Sequence, residues 1–277
     1  MNLVIGCGYV GRRVAQHWRV QGKRVAALTR GRSAELSAAG IEPVNGDVLD
    51  PASLKQLPVG ETVLYAVGMD RSTGRSFRDV YVEGLRNVLD ALPPPGRLIY
   101  VSSTSVYGQA NGEEVDEESP TEPREANGQV VLEAERLLRS RVPEAIILRF
   151  AGIYGPGRIM RRAAIEKGEP LVGDAEKWLN LIHVDDGVQA VLAAEDRGKK
   201  GETYLISDDE PVRRRDFYTE LAALLKAPPA LFEALPPGSP PPPHEGGNRR
   251  AVNQRMRTAL GVTLKHPSYR VGLSKTV

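Results

Sequence analysis

An open α/β sheet, doubly wound with helices on both faces, is the fold class this sequence of 277 residues predicts. Three observations predict it. Short β-branched runs alternate with helical patterns of crossover length along the first half of the chain. A glycine-rich hexapeptide sits between the first such run and the first helical pattern. The composition, 41% hydrophobic and 26% charged, is that of an ordinary globular chain with enough residues for a sizeable core.

The elements follow in order. Leu3 to Ile5 reads as a strand and Val10 to Gln21 as a helix. Val25 to Leu28 and Ile41 to Val44 read as strands around a helix near Ser33 to Ala39. Thr62 to Val67 is the next strand, followed by a helix around Phe77 to Leu92 and a strand from Arg97 to Ser102. A helix around Val130 to Ser140 leads into Ala145 to Phe150. The second half reads Ile182 to Val184 as strand, Asp186 to Glu195 as helix, Thr203 to Ile206 as buried strand and Asp216 to Lys226 as helix. Composition then shifts, because eight of the 21 prolines lie between Ala227 and Pro243. The run Pro240 to Pro243 favours an extended spacer or loop without ladder donors. The tail predicts one helix, ending at Leu260-Gly261.

Composition also excludes functions. Lys and Arg number 37 and Asp and Glu 35, a formal charge of +2, which argues against a nucleic-acid binder. Cys7 is the lone cysteine, so neither a disulfide framework nor a four-cysteine zinc site is expected. A reducing, cytoplasmic location fits that usage. No signal peptide, membrane span or metal is expected.

Gly6-Cys7-Gly8-Tyr9-Val10-Gly11 is a G-x-G-x-x-G sequence in the strand–turn–helix context its mechanism needs. Gly6 permits the tight turn, Gly8 lets a pyrophosphate approach the backbone, and Gly11 lets helix pack closely on strand. The helix N-terminus after Tyr9 and Val10 adds amide donors and partial positive charge. The reading is a Rossmann-type dinucleotide site, against the plain alternative of a glycine turn without ligand. The second strand ends in Thr29-Arg30-Gly31-Arg32 and carries no acid to hold a ribose 2′-hydroxyl. Arg30 and Arg32 stand where a 2′-phosphate would lie, so NADP is expected over NAD. Asp47 and Val48 would border the adenine. Ala66, Val67 and Gly68 would flank ribose and pyrophosphate.

The sequence resembles the short-chain dehydrogenase/reductase superfamily, in its extended and atypical branch of NAD(P)-dependent epimerase/dehydratase type. The pieces that carry the resemblance are the glycine loop, Gly46-Asp47-Val48, Val82 to Val88, Val101 to Gly108, Leu148 to Arg158 and Ile182 to Asp186, with a weaker echo at Asn253 to Gly261. The resemblance implies a Rossmann domain of residues 1–155 with 181–207 returning to the sheet. It implies a small C-terminal substrate lobe of 156–180 and 208–277. Ser102 would lie by the cofactor, and Ser103 would hydrogen-bond the reacting oxygen. A Tyr-x-x-x-Lys pair should follow on the next helix. Asn127 and Val131 stand there instead, and neither can relay a proton.

Tyr107 and Tyr154 are then the nearest phenols for catalysis in the family frame, Tyr107 being normally a structural residue of the Val-Tyr-Gly turn there, and Arg158, Arg161 and His183 are candidates for binding a small, anionic or nucleotide-sugar-like substrate. Two readings stand. One is an atypical oxidoreductase or epimerase. The other is a non-catalytic NADP(H)-binding sensor or scaffold. The resemblance also implies a homodimer through the helices near Phe77 to Leu92 and Val130 to Ser140.

Overall fold

A computed structural model describes residues 1–235 and 246–277. The central sheet has seven strands: β1 (Asn2–Ile5), β2 (Val25–Thr29), β3 (Glu42–Asn45), β4 (Thr62–Tyr65), β5 (Arg97–Ser103), β6 (Ile146–Phe150) and β7 (Thr203–Ile206). Their order across the sheet is β7-β6-β5-β4-β1-β2-β3. The pairs β1–β2, β1–β4, β2–β3 and β4–β5 are parallel. The order reverses at β1, between β4 and β2. In open α/β sheets that switch point is where the strand ends leave a crevice for a ligand. This is the Rossmann-type α/β architecture that the alternation of elements predicts.

The strands are apolar on both sides because helices cover both faces. Leu3, Val4 and Ile5 of β1 are fully buried, as are Val63 and Leu64 of β4. Helix α1 (Gly11–Val20) turns Val14, Ala15 and Trp18 inward. The Trp18 indole N–H donates to Glu195 at 2.6 Å, and Lys23 pairs with the same carboxylate. Helix α2 is Ser33–Ala38. The helix expected around Phe77 to Leu92 begins as a π-helical turn, Asp79–Glu83, and continues as α3 (Gly84–Ala91). Helix α4 spans Ala126–Arg141.

The chain forms two compact units. The first comprises residues 1–103, 129–149 and 190–204; the second comprises 104–128, 150–189 and 205–277. Leu3, Ile5, Val63, Leu85, Leu98, Leu138 and Ile147 share the core of the first. The second has its own core around Tyr154, Ile165, Leu171, Phe217, Leu221 and Tyr269. Its helices include α5 (Arg162–Lys167), α7 (Arg214–Leu225), α8 (Gln254–Ala259) and α9 (Tyr269–Ser274), while α6 (Val184–Arg197) begins within it. Pairs of short strands link its loops, among them Gly152–Tyr154 with Leu181–His183 and Arg249–Ala251 with Glu113–Val115. The tail carries two helices, α8 and α9, where the glycine stop at Gly261 marked one. Pro228 and Pro229 follow α7, while the remaining prolines of the expected spacer lie outside the described residues. No helix among the described residues is long and apolar enough to cross a membrane.

Candidate functional site

In the first unit the glycine loop is built by exclusion of side chains. Gly6 has φ +96°. A Cβ there would lie 2.4 Å from the Ala66 carbonyl group and from the Val67 nitrogen. A Cβ on Gly11 would meet the Gly6 oxygen at 2.3 Å. Gly8 differs, because nothing lies within 4 Å of a Cβ placed on it. Two glycines thus let chain approach chain, and the third faces open space. Gly8 N donates to Gly6 O at 2.8 Å and Arg12 N to Gly8 O at 3.0 Å, which rounds the turn into α1. No side chain caps α1 at Val10 and its first turn holds no acid, so its positive end is uncompensated by the protein. The Arg13 guanidinium lies over the Tyr9 ring at 4.1 Å and donates to Tyr9 O at 2.8 Å. This open, amide-rich concavity fits a pyrophosphate.

Arg32 donates to the Cys7 carbonyl at 2.9 Å, which ties the end of β2 to the glycine loop. Thr29 Oγ1 accepts from Arg32 N at 3.0 Å and fixes the intervening turn. Arg30 is half-exposed and paired with Asp70 at 2.9 Å. Arg12 is paired with Glu35 of α2. Burial raises the Cys7 thiol's pKa although Arg32 and Arg12 oppose it, so Cys7 is a packing residue of the loop. Arg75 reaches both oxygens of Asp47 at 2.9 and 2.7 Å. The Val48 carbonyl accepts from Asn87 at 3.0 Å, and Gly84 lets α3 lie against the Val48 side chain. Ala66 N donates to Ile5 O at 2.7 Å, and the space beside Gly68 is open. The glycine loop, Arg30, Asp47 and Ala66 follow the carboxyl ends of β1, β2, β3 and β4 in turn.

At the end of β5 two serines part ways. The Ser102 hydroxyl donates to Glu135 Oε1 at 2.5 Å. Arg149 reaches the same carboxylate through Nε at 3.0 Å and Nη2 at 2.8 Å. Glu135 and Arg149 are buried. Ser102's hydroxyl therefore serves a buried ion pair, and a nucleotide is left with the backbone there. Successive residues of a strand face opposite ways, so Ser103 points away from Glu135.

The second unit holds the other candidates. Tyr107 follows the turn Thr104–Val106 and is buried. Arg249 donates to Thr104 O at 2.7 Å, while its Nε has no partner. Burial lowers the Arg249 pKa, an effect that Glu125 and Tyr107 oppose. Asn127 lies half-buried in the first turn of α4, and Val131, one turn on, is buried. Arg158 closes a tight turn with Gly155 and is exposed. Arg161 is exposed too, and holds φ +58° just before α5.

His183 is buried, and its ring lies 3.8 Å from the ring of His266 at 33°. The His266 Nδ1 sits 3.0 Å from Asp186, which also accepts the amides of Lys265 and His266. Asp185 sits inside the first turn of α6, not at its cap, and its amide donates to His183 Nδ1 at 3.3 Å. His183, Asp185 and His266 bring ligand atoms within 4.8 Å of one another.

Sequence reasoning missed Asp208. It is 1% exposed, Oδ1 accepts Glu210 N at 3.2 Å and Oδ2 has no partner. Burial raises its pKa well above the carboxylate range, with Asp209, Glu210 and Asp186 adding to it against the Glu210 amide. The folded chain keeps this proton while the unfolded chain loses it, so raising the pH through the ordinary carboxyl range costs stability. Asp208→Asn is expected to raise the melting temperature at neutral pH. The gain should be present at neutral pH and vanish below about pH 4. Thermal denaturation of both chains across pH checks this.

Comparison with known proteins agrees with this geometry. A family model described as the NAD dependent epimerase/dehydratase family matches residues 2–207. The protein YeeZ of Escherichia coli (strain K12) is 29% identical over 243 residues, covering 83% of this chain and 85% of its own. A 3-diazoavenalumate denitrifying reductase of a Streptomyces species is 30% identical and covers 99% of both chains. A solved Methylobacillus flagellatus structure, titled as an NAD-dependent epimerase/dehydratase, is 33% identical with TM-score 0.76, over 98% of this chain and 95% of that one. The dTDP-glucose 4,6-dehydratase DesIV of Streptomyces venezuelae has TM-score 0.82 at 22% identity, over 100% of this chain and 95% of its own, a likeness of fold.

Proposed function

Because the chain belongs to the NAD-dependent epimerase/dehydratase family, we propose that it binds NADP(H) in the glycine loop and works as an oxidoreductase on a small, anionic carbonyl or alcohol substrate. The observation that carries this is the open face of Gly8 between two glycines that admit no side chain. Loop amides and the α1 terminus hold the pyrophosphate. Arg30 and Arg32 meet the 2′-phosphate, Asp47 and Val48 border the adenine, and Ala66 to Gly68 line the path between. When bound, a nicotinamide supplies or accepts hydride.

The protein's own part is positioning and proton handling. Ser103 is assigned the hydrogen bond to the reacting oxygen. With Asn127 and Val131 in place of the Tyr and Lys pair, the proton is assigned to Tyr107, with Arg249 as the nearby cation. Arg158 and Arg161 are assigned the anionic end of the substrate. The Streptomyces relative named as a reductase supports a reductive reaction.

Binding is tested by titrating nicotinamide fluorescence. Arg30→Ala should weaken NADPH about tenfold, as loss of a charged hydrogen bond does, and NADH less than about twofold. Equal loss of both would refute the choice of NADP. Turnover is tested by following NADPH oxidation over aldehydes, ketones and sugar nucleotides. Activity lost in Ser103→Ala supports the enzyme. Asn127 and Val131 favour the second reading, a sensor or scaffold that binds NADP(H) without turnover, and silence over the whole panel with binding intact would select it.

A further inference from the structure

Arg30, the cation placed to meet a 2′-phosphate, already has a partner. Its Nη2 lies 2.9 Å from Asp70 Oδ2. Asp70 is not a stray surface acid. Its Oδ1 accepts from Ser72 N at 3.1 Å and Ser72 Oγ at 2.6 Å, and its main-chain oxygen accepts from Thr73 Oγ1 at 2.8 Å. These bonds build the short turn Arg71–Thr73 and hold one carboxylate oxygen toward Ser72, the other toward Arg30. Five residues on, Arg75 is bound to Asp47 beyond the end of β3. The segment after β4 is thus fastened to the end of β2 through Asp70 and past the end of β3 through Arg75. The adenosine half of a dinucleotide crosses those strand ends. Gly68 and Gly74 flank the segment, with open space beside each and φ +67° at Gly74.

We propose that Asp70 sets the selectivity of this site between NADP(H) and NAD(H), as the resident counter-ion of Arg30 that a 2′-phosphate has to displace. This rests on the dinucleotide site proposed above. Arg30 and Asp70 side chains are 47% and 45% exposed, so their pair is solvent-screened and weak. A phosphate dianion offers the guanidinium two oxygens and more charge than one carboxylate oxygen, so it wins the exchange. A 2′-hydroxyl brings no charge and leaves the pair closed. Asp70 therefore taxes NADPH and spares NADH, and the preference that Arg30 creates is smaller than its charge alone would make it.

The test is a fluorescence titration of NADPH and NADH against the wild type, Asp70→Asn, Arg30→Ala and the double variant. Glu42→Gln, which removes a negative charge near Arg24 instead, is the control for net charge. Asp70→Asn should tighten NADPH about threefold to tenfold and shift NADH less than about twofold. In the Arg30→Ala background the gain should vanish. An unchanged NADPH-to-NADH ratio in Asp70→Asn, a gain that persists without Arg30, or an equal gain in Glu42→Gln overturns this proposal and leaves dinucleotide binding standing. A wild type that binds neither nucleotide overturns the site itself, and this proposal with it.

Discussion

Gly6→Ala is expected to abolish dinucleotide binding and to lower stability by about 3 kcal/mol, from a disfavoured backbone and an overpacked contact. At φ +96° an L side chain is strained in any surroundings. Here the new Cβ also falls 2.4 Å from the backbone of Ala66, which no rotamer change relieves. Ala66 N is bonded to Ile5 O, so β1 and β4 have to part at their carboxyl ends, where the site is built. Gly8→Ala is the contrasting case. Its Cβ meets nothing within 4 Å, so the melting temperature should hold. NADPH binding should fall at least about tenfold, because the methyl occupies the path of the pyrophosphate. Thermal denaturation and nucleotide titration of both variants separate the two effects. A Gly8→Ala protein that binds NADPH like the wild type would refute the placement of the ligand.

Glu135→Ala should cost about 3–5 kcal/mol, the largest loss expected for a position outside the glycine loop. Removing this carboxylate takes the Glu135 partner from the Arg149 guanidinium, a buried charge whose side chain is 10% exposed. It also strands the Ser102 hydroxyl at the end of β5. Replacing the pair together, Glu135→Met with Arg149→Met, should recover much of the loss, because no uncompensated buried charge then remains. Urea denaturation at equilibrium measures both. A single-variant loss under about 1 kcal/mol would mean that the Arg149 charge is compensated without Glu135. Nucleotide affinity of Glu135→Ala under native conditions reports how far Ser103 and its strand depend on that anchor.

Local physics explains what was legible in advance. Strands β1, β2, β4 and β5 are runs of apolar and β-branched residues, and such runs declare themselves wherever both faces are buried. The glycine loop was legible for the same reason, since its conformation is set by which residues lack a side chain within six positions. The π-helical start before α3 was hidden, because a π turn and an α turn have nearly the same pattern over five residues. Arg30 was read as a cation awaiting a phosphate, and nothing near it in sequence names Asp70, forty residues away, as its partner. Ser102 was read as a cofactor contact, and its hydroxyl is instead bound to Glu135.

By itself the sequence determined the α/β class, the Rossmann-type loop and the family resemblance, and with the resemblance came the expectation that Asn127 and Val131 stand where a Tyr and Lys pair is usual. Each of these depends on residues close together in the chain, where spacing maps directly onto geometry. Only the tertiary structure decided which charges meet: Arg30 with Asp70, Arg75 with Asp47, Arg149 with Glu135, and His266 with Asp186 eighty residues away. It alone left Asp208 buried with one oxygen unpartnered. Pairing and desolvation depend on distance in space, and chain topology sets that distance only after the sheet has closed.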